Sequence, residues 1–259
     1  WTAWQVKALE PEARVVLQLG SEPGLTGEYY HPFDREEKYA AGVIGGYDTK
    51  GFNAFDDDGN KVARYRVERI GATATLFRNV SDRLALAVVM ERYAGRAILD
   101  VGDPPVPDQN FQDGAASLEA RFDSIDSLYF PRDGFYGRLG YSLSRNWLGA
   151  DSEFDQLDFD TVGAKSFGSH AVQLGARYHA TASGVAPLQS TYRLGGRWRL
   201  AGYQANELTG QHYALVFAGY TYELGKVLNR SAQVGGTLEY GNAWLRRDSM
   251  DIDDGILNG

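Results

Sequence analysis

The feature that most constrains this chain is an alternation of apolar and polar residues with a period of two. In "FYGRLGYSLSR" (135–145), Phe135, Leu139 and Tyr141 share one face, and Arg138 lies on the other. Period two indicates a β-strand, because successive side chains of a strand point to opposite faces of its sheet. No stretch shows a convincing apolar period of 3.6 residues. We therefore predict an all-β fold built of sequential hairpins.

Twelve such runs follow one another, and a further one starts near residue 256. They cover residues 1–8, 13–20, 25–33, 38–48, 61–79, 83–97, 114–124, 134–145, 154–167, 170–182, 212–224 and 232–244. Within 61–79 the apolar phase slips near Gly71, where we predict a β-bulge. No Pro/Ser-rich linker divides the runs, so residues 1–259 are interpreted as one domain.

The apolar faces of these strands are typical of a membrane β-barrel. The longest apolar run, "LALAVVM" (84–90), is far shorter than the roughly 20 residues that a membrane-spanning helix needs. Barrel strands keep their mean hydropathy low, because lipid-facing residues alternate with lumen-facing ones. Tyr39 and Tyr47 lie near opposite ends of one face, as expected for a strand between two aromatic girdles. We predict a transmembrane antiparallel up-and-down β-barrel.

The connections between the runs alternate between short and long. Short ones include "DREE" and "NVSD", whereas long ones include 49–60, 100–113 and, longest of all, 183–211. Outer-membrane barrels have this asymmetry, with short periplasmic turns and longer extracellular loops. The pattern therefore predicts a protein of the bacterial outer membrane, with 183–211 as a long extracellular loop.

Composition excludes several classes of chemistry. The chain has 34 acidic and 26 basic residues, a net charge of −8, which argues against a nucleic-acid partner. It has no cysteine, so no disulfide, zinc–thiolate or thiol-nucleophile chemistry is available to it. No G-x-S-x-G, S-x-x-K or P-loop motif occurs. We expect neither a catalytic residue nor a cofactor in this segment.

Two polar features invite a metal-site hypothesis, and for both we prefer a simpler interpretation. "FDDDGN" (55–60) resembles a calcium loop but lacks the full ligand spacing, and Asp-Gly-Asn also suits a hairpin. The histidines are scattered and are interpreted as solvated or interfacial: His31, His170, His179 and His212.

The polar faces of the strands predict a charged lumen. Asp158 and Asp160 of "QLDFD" (156–160) share one polar face, and we interpret them as lumen lining rather than as a glycosidase pair. The remaining charged residues of these faces would pair across strands and offset each other's desolvation: Glu119, Arg121, Asp123, Arg138, Arg177 and Glu239.

Three segments resemble one known family. "FDSIDSLYFPRDGFYGRLGYSLS" (122–144) is similar to its Asp…Pro-x-x-Gly periplasmic turn, here Asp123, Pro131 and Gly134. "GGTLEYGNAW" (235–244) is similar to a late strand of that family, and "RLGGRWRLAGYQANELTG" (193–210) to its sixth extracellular loop. The chain thus resembles the C-terminal barrel of the BamA/TamA-type outer-membrane assembly superfamily, the bacterial surface antigen domain. Its nearest likeness is to the barrel attached to bacterial patatin-like phospholipases.

The resemblance implies a site inside the barrel. The family loop carries a Val/Ile-Arg-Gly-Phe/Tyr motif whose Arg enters the lumen and pairs with acidic residues. The matching residues of this chain are Arg197, Arg199, Leu200, Ala201, Gly202 and Tyr203. Ala201 stands where the family has Arg, and the acidic partner corresponds to Glu239. We hypothesise that Arg197 or Arg199 supplies the missing charge, that Gly202 allows close approach, and that Tyr203 packs against the wall.

The resemblance also implies a function. Family barrels have sixteen strands, so the chain is expected to lack one strand upstream and most of three downstream, and not to form a stable barrel alone. The expected role is insertion, export or anchoring of polypeptide, with an upstream patatin-like lipase as passenger in a type V secretion arrangement. The partners would be outer-membrane lipid and a client polypeptide, and the sequence leaves a homo-oligomer open.

Other functions remain as alternatives at this stage. A passive porin would conduct ions and be indifferent to the motif loop, and an outer-membrane lipase would need a Ser/His pair on its outer rim. A soluble β-protein that binds carbohydrate through Trp and Tyr would bury its apolar face and dissolve without detergent.

Overall fold

The computed structural model describes residues 11–55, 61–102, 109–127, 130–196, 198–227, 230–251 and 253–259, and these form fourteen strands. The strands are β1 (Glu12–Gln18), β2 (Gly24–Pro32), β3 (Tyr39–Phe55), β4 (Lys61–Asn79), β5 (Leu84–Gly102), β6 (Gln109–Asp123), β7 (Gly134–Ser144), β8 (Phe154–Phe167), β9 (His170–Gly184), β10 (Tyr192–Leu194), β11 (Leu208–Gly210), β12 (His212–Val227), β13 (Arg230–Trp244) and β14 (Ile256–Asn258). Short 3₁₀ helices occupy Asn146–Leu148, Leu188–Ser190 and Arg247–Ser249.

Twelve of the strands form one antiparallel sheet in chain order. β1 to β9 pair consecutively, β9 pairs with β12, and the sheet ends at β13 and β14. β10 and β11 form a separate small hairpin within the connection from β9 to β12. The predicted all-β, up-and-down arrangement is confirmed, and eleven of the twelve predicted runs, with the start near 256, match sheet strands. The first predicted run, 1–8, lies outside the described residues.

The two faces of the sheet have opposite chemistry. The face that becomes the barrel exterior exposes large apolar side chains such as Leu118 and Leu139, at 64% and 50%. Tyr39 and Tyr47 lie on this same face, opposite Arg78 and Ile70 of β4. Eight residues separate the two tyrosines, which at about 3.3 Å per residue matches the roughly 25 Å apolar band of outer-membrane barrels. No helix in the described ranges is long and apolar enough to cross a membrane.

β3, β4 and β5 extend well past this apolar band. The predicted loops 49–60 and 100–113 are largely strand, since β3 continues to Phe55, β5 to Gly102, and β6 begins at Gln109. The outer face of this extension is charged, with Arg66 and Arg96 both paired to Glu68 at 3.2 and 2.8 Å. An outer face in water has no reason to be apolar, so the polarity of the strand reverses where it leaves the membrane.

This reversal also corrects the predicted bulge at Gly71. Gly71 pairs in register with Gly46 and Tyr93, and the register between β4 and β5 shifts instead between Arg64 and Tyr65. Gly71 is needed for space, because a Cβ there would lie 2.7 Å from Cδ1 of Tyr93. The apparent slip of phase arose from the membrane boundary and not from an extra residue.

Candidate functional site

The segment 183–211 folds back onto the inner face of the sheet. Its β10–β11 hairpin pairs Leu194 with Leu208. The tip between them is closed by backbone hydrogen bonds from Gly195 N to Arg199 O at 2.8 Å and from Gly196 N to Tyr203 O at 3.1 Å. The loop tip is therefore a compact unit with its own hydrogen bonds.

The tip is held in unusual backbone conformations. Of four non-glycine residues with positive φ in the described chain, three lie here: Trp198 (66°), Leu200 (70°) and Asn206 (63°). Such conformations cost free energy in residues with a side chain, and they persist where surrounding contacts determine the backbone. We infer that the contacts of this loop, more than its local preferences, fix its shape.

Leu200 supplies the main apolar contact. Its side chain is fully buried, together with Leu194 of the loop and with Tyr213 and Leu215 of β12. Tyr213 and Leu215 face inward, since they pair with the inward residues His179 and Arg177 of β9. A small apolar cluster thus anchors the loop to the lumen wall, and burial of a leucine side chain contributes roughly 1.5–3 kcal/mol.

Ala201 and Glu239 form the polar contact between loop and wall. The backbone N–H of Ala201 donates to Oε2 of Glu239 at 2.8 Å. Glu239 is 1% exposed and faces inward on β13, opposite Phe217 and Asn258. Among the described residues, its second oxygen, Oε1, has no hydrogen-bond partner. The carboxylate therefore binds the loop through the main chain of the residue that replaces the arginine of the family motif.

The hypothesis that Arg199 supplies the missing charge is wrong. Arg199 donates from Nη2 to the carbonyl of Arg193 at 2.5 Å, and its Cζ lies 5.9 Å from the centre of the Tyr213 ring. Within the described part of the chain, no Lys or Arg nitrogen lies within 4 Å of the Glu239 carboxylate. Arg197 lies outside the described residues.

Gly202 and Tyr203 complete the contact. A Cβ at Gly202 would overlap Oδ1 of Asn258, the residue of β14 paired with Glu239. Tyr203 is partly buried against the Leu200 cluster. The structure therefore places Leu200, Ala201, Gly202 and Tyr203 on the inner face of β12 to β14, where Ala201 binds Glu239.

The loop reaches across to strands far from β12. Gln189 donates to Oδ1 of Asp113 on β6 at 3.1 Å. Arg193 lies over the ring of Phe52 on β3, 4.0 Å from its centre, and donates to Leu188 O at 3.1 Å. Asp113 on β6 and Phe52 on β3 lie several strands away from β12 in the sheet, so the loop spans the inside of the curved sheet.

A second polar centre of the wall was not anticipated from the sequence. His179 of β9 is buried, with Nδ1 2.6 Å from Asp158 Oδ1 and Nε2 3.1 Å from Asp160 Oδ1. Its ring stacks on Tyr213 at 4.5 Å and meets the edge of Tyr192 of the loop at 5.2 Å. The interpretation of the histidines as solvated or interfacial is wrong for His179, and also for His212, which is 5% exposed.

The predicted charged lumen is confirmed around this centre. Arg138 of β7 contacts Glu119 at 2.9 Å and Asp160 at 3.5 Å, and Arg177 contacts Asp160 at 3.8 Å. The charges alternate along four neighbouring strands, so each carboxylate has a cationic neighbour. Burial of these groups is tolerated because they are paired. In the described residues, no group of three His, Cys, Asp or Glu side chains could hold a metal ion.

A family model describes the same region of the chain. The model of the Omp85 superfamily domain matches residues 21–245. The chain belongs to the Omp85 superfamily. It is thus an outer-membrane β-barrel. The alternative of a soluble carbohydrate-binding protein required a buried apolar face, whereas the large apolar side chains of the sheet are exposed on its outer face.

Solved structures of two outer-membrane proteins share the fold. BamA from Haemophilus ducreyi, solved without POTRA domains 1–3, superposes with a TM-score of 0.71 at 12% identity over 86% of this chain. CdiB from Acinetobacter baumannii superposes with a TM-score of 0.59 at 15% identity over 91% of it. The Omp85 segment spans 50% and 42% of those two chains. A search of curated proteins finds no match.

The remaining motif of this Omp85 barrel lies at the opposite end, in the β6–β7 connection. Asp123 accepts a hydrogen bond from Ile125 N at 3.2 Å, and the carbonyl of Pro131 accepts one from Gln173 at 2.8 Å. Gly134 adopts a φ of 112°, and a Cβ there would overlap Ser124 O. These residues shape a turn at the end of the sheet opposite the loop site.

Asp133 is the most perturbed acid of this turn. The hydroxyl of Ser166 and the ammonium of Lys165 both bind its carboxylate, and together they lower its pKa from 3.8 to about 2. A depressed pKa means that these contacts favour the charged form, so they are complete above pH 4.

Proposed function

We propose that this chain is the barrel of an outer-membrane translocator that inserts, exports or anchors polypeptide, and that the 183–211 loop acts inside its lumen. The observation that carries the proposal is the hydrogen bond from Ala201 N to Glu239, in a loop also anchored by Leu200. Membership of the Omp85 superfamily supports it. No nucleotide or cofactor is part of the proposed mechanism.

A passive porin is less well supported as an alternative. The loop bonds to β6, β9, β12 and β13, and such a crossing would obstruct free diffusion through the lumen. Three non-glycine residues at the tip of the loop have positive φ, a backbone conformation that costs free energy. A loop that only narrowed the lumen would not require that cost. We propose that the loop holds the barrel wall in the arrangement that a client polypeptide needs.

The test is the rate at which cells assemble or export client with a loosened loop. Leu200→Ala removes the buried anchor and should unfold the loop in a fraction of molecules, since such truncations cost roughly 2–5 kcal/mol. The matched control is Leu245→Ala, because Leu245 is 69% exposed and lies in the next extracellular connection. Client yield should fall at least about threefold in the first variant only, at equal barrel abundance. Equal yields in both variants would remove the loop from the mechanism.

We further propose that the client is a passenger of the same polypeptide, a patatin-like lipase domain upstream of residue 1. The support is the resemblance of the three motif segments to barrels of that subgroup. The reading frame upstream should then encode a Gly-x-Ser-x-Gly nucleophile motif. Its product should display esterase activity at the cell surface that disappears with Leu200→Ala. An upstream reading frame without that motif would contradict the proposed lipase passenger and would leave the proposed translocator function unaffected.

A further inference from the structure

The β6–β7 connection does more than join two strands. Its residues Phe130, Pro131, Arg132 and Asp133, which we call the strap, contact β8, β9 and β12. The other described connections at this end are short: residues 33–38, 80–83 and 168–169 hold six, four and two residues. Residues 19–23 join β1 and β2 at the opposite end. The strap therefore crosses beneath strands that are not its neighbours.

Most of the side chains that hold the strap point into the barrel, whereas Lys165, which also binds Asp133, has the outward phase of β8. Ser166, Gln173 and Glu223 have the inward phase of β8, β9 and β12, because they share it with Asp160, Arg177 and Tyr213 of the charged lumen. Ser166 binds Asp133, Gln173 donates to Pro131 O, and Glu223 binds Arg132. The strap thus lies on the lumen side of the sheet at its periplasmic end.

Arg132 makes the farthest contact. Its Nη1 donates to Oε2 of Glu223 at 2.7 Å, and its Nη2 donates to the carbonyl of Gly168 at 2.5 Å. The side chains of Arg132 and Glu223 are 22% and 35% exposed, so water reaches both. Ion pairs in water are weak. The contact can therefore be released at little cost.

The strap itself has a preformed shape. Asp126 Oδ1 accepts hydrogen bonds from Arg132 N at 2.9 Å and Asp133 N at 3.1 Å. The strap ends at Gly134, whose φ is 112°. Release of Arg132 would therefore free the part of the strap that reaches β12, while Gln173, Ser166 and Lys165 still hold the strap on β9 and β8 and its own fold stays intact.

We infer that the strap is a periplasmic gate of the lumen, and that Arg132 is its latch on Glu223. With the strap latched, the periplasmic mouth is covered beneath β8, β9 and β12; with Arg132 released, inward side chains near this mouth become accessible from the periplasm. The gate is distinct from the loop site at the other end of the lumen. It does not depend on the identity or existence of a client.

The test is the labelling rate of a thiol placed behind the strap. Thr221 faces inward on β12, two residues from Glu223, and is 9% exposed. The 259 residues hold no cysteine, so Thr221→Cys gives a single thiol in this segment. The full protein in proteoliposomes would be treated with a membrane-impermeant maleimide. Arg132→Ala should raise the labelling rate about threefold to tenfold, as expected for loss of one partly exposed ion pair with Glu223 and one hydrogen bond to Gly168.

Two further variants make the result specific. Arg132→Glu with Glu223→Arg reverses the pair and should restore slow labelling, whereas Arg132→Glu alone should label at least as fast as Arg132→Ala. Arg246→Ala is the matched control, since it breaks an exposed ion pair with Asp248 elsewhere and should change nothing. Equal rates in the native protein and Arg132→Ala would overturn the gate. If Arg132→Ala fails to fold, the reversed pair decides: slow labelling supports the latch, and fast labelling overturns it.

Discussion

The backbone N–H of Ala201 donates a 2.8 Å hydrogen bond to the carboxylate of Glu239, which is 1% exposed. A main-chain donor therefore fills the role that the resemblance gives to an arginine side chain. This hydrogen bond needs an acceptor oxygen on residue 239 but not the negative charge of the carboxylate, and the other oxygen of Glu239 has no hydrogen-bond partner among the described residues. Burial of an unpaired charge costs free energy, so the contact positions the loop and adds little to the stability of the barrel.

Substitutions of Glu239 should separate the acceptor from the charge. Glu239→Gln keeps a carbonyl oxygen for Ala201 N, and we expect the loop to stay in place. Glu239→Leu removes the acceptor and should favour loop opening by about 1–3 kcal/mol, or roughly 5- to 160-fold. Trypsin cleavage after Arg199 in intact outer membranes measures the open population when opening is fast. Rapid cleavage of Glu239→Gln, equal to that of Glu239→Leu, would mean that charge holds the loop.

Gly202 and Asn258 should be energetically coupled. A Cβ at position 202 would overlap Oδ1 of Asn258. Gly202→Ala should therefore lower the temperature at which the barrel loses its compact gel mobility, since overpacking costs about 1–3 kcal/mol. Asn258→Gly in the same protein should restore most of that loss. Strictly additive effects in the double variant would show that the two residues do not touch.

His179 should matter most through the carboxylates that it binds. His179→Leu leaves Asp158 and Asp160 facing an apolar side chain, and breaking a buried ionic cluster in this way costs roughly 3–5 kcal/mol. The heat-modification temperature should fall sharply. Adding Asp158→Asn removes the carboxylate that faces position 179 in register, and should recover part of the loss, whereas Asp160 keeps Arg138 and Arg177 as partners. A fall that is unchanged in the double variant would assign the effect to lost ring stacking on Tyr213 instead.

The β6–β7 turn should respond to acid through Asp133. Its pKa is lowered from 3.8 to about 2, so its contacts favour folding above pH 4 and are lost as the pH falls through about 2. The Ser166 hydroxyl is the largest cause and Lys165 the next. Carboxyl NMR of the protein in micelles should therefore show the pKa of Asp133 rising toward its usual range in both Ser166→Ala and Lys165→Met. An unchanged pKa of Asp133 in both variants would contradict this assignment of causes.

The strands were predictable because they obey one rule. The alternation of "FYGRLGYSLSR" continues through β7 without interruption, and its outward and inward residues are those that the sequence indicates. The alternation of outward apolar and inward polar residues holds only where lipid covers the outer face. Beyond the membrane water replaces lipid, and the polarity of β4 reverses on the far side of Gly71. Hydrophobic pattern alone does not mark that boundary, so β3 and β5 were predicted too short.

The site was predictable in location but not in chemistry. The position of Glu239 on an inward phase follows from strand periodicity, and the loop was identified by resemblance. That Arg199 would turn to Tyr213 and Arg193 depends on the positive φ of Leu200, which no side-chain pattern announces. His179 was missed because its partners lie on β8, opposite it in register, and a lone histidine on a strand gives no signal of such pairing.

The most direct test of the account asks whether the loop lies inside the barrel. Gly202→Cys and Asn258→Cys would place two thiols at the closest approach of loop and wall, in a segment that has no other cysteine. A disulfide should form under mild oxidation in intact outer membranes, because the two side chains would occupy adjoining space. Most molecules should become cross-linked, and their thiols should then not react with maleimide. Free thiols at both positions, labelled by a membrane-impermeant maleimide after oxidation, would contradict it.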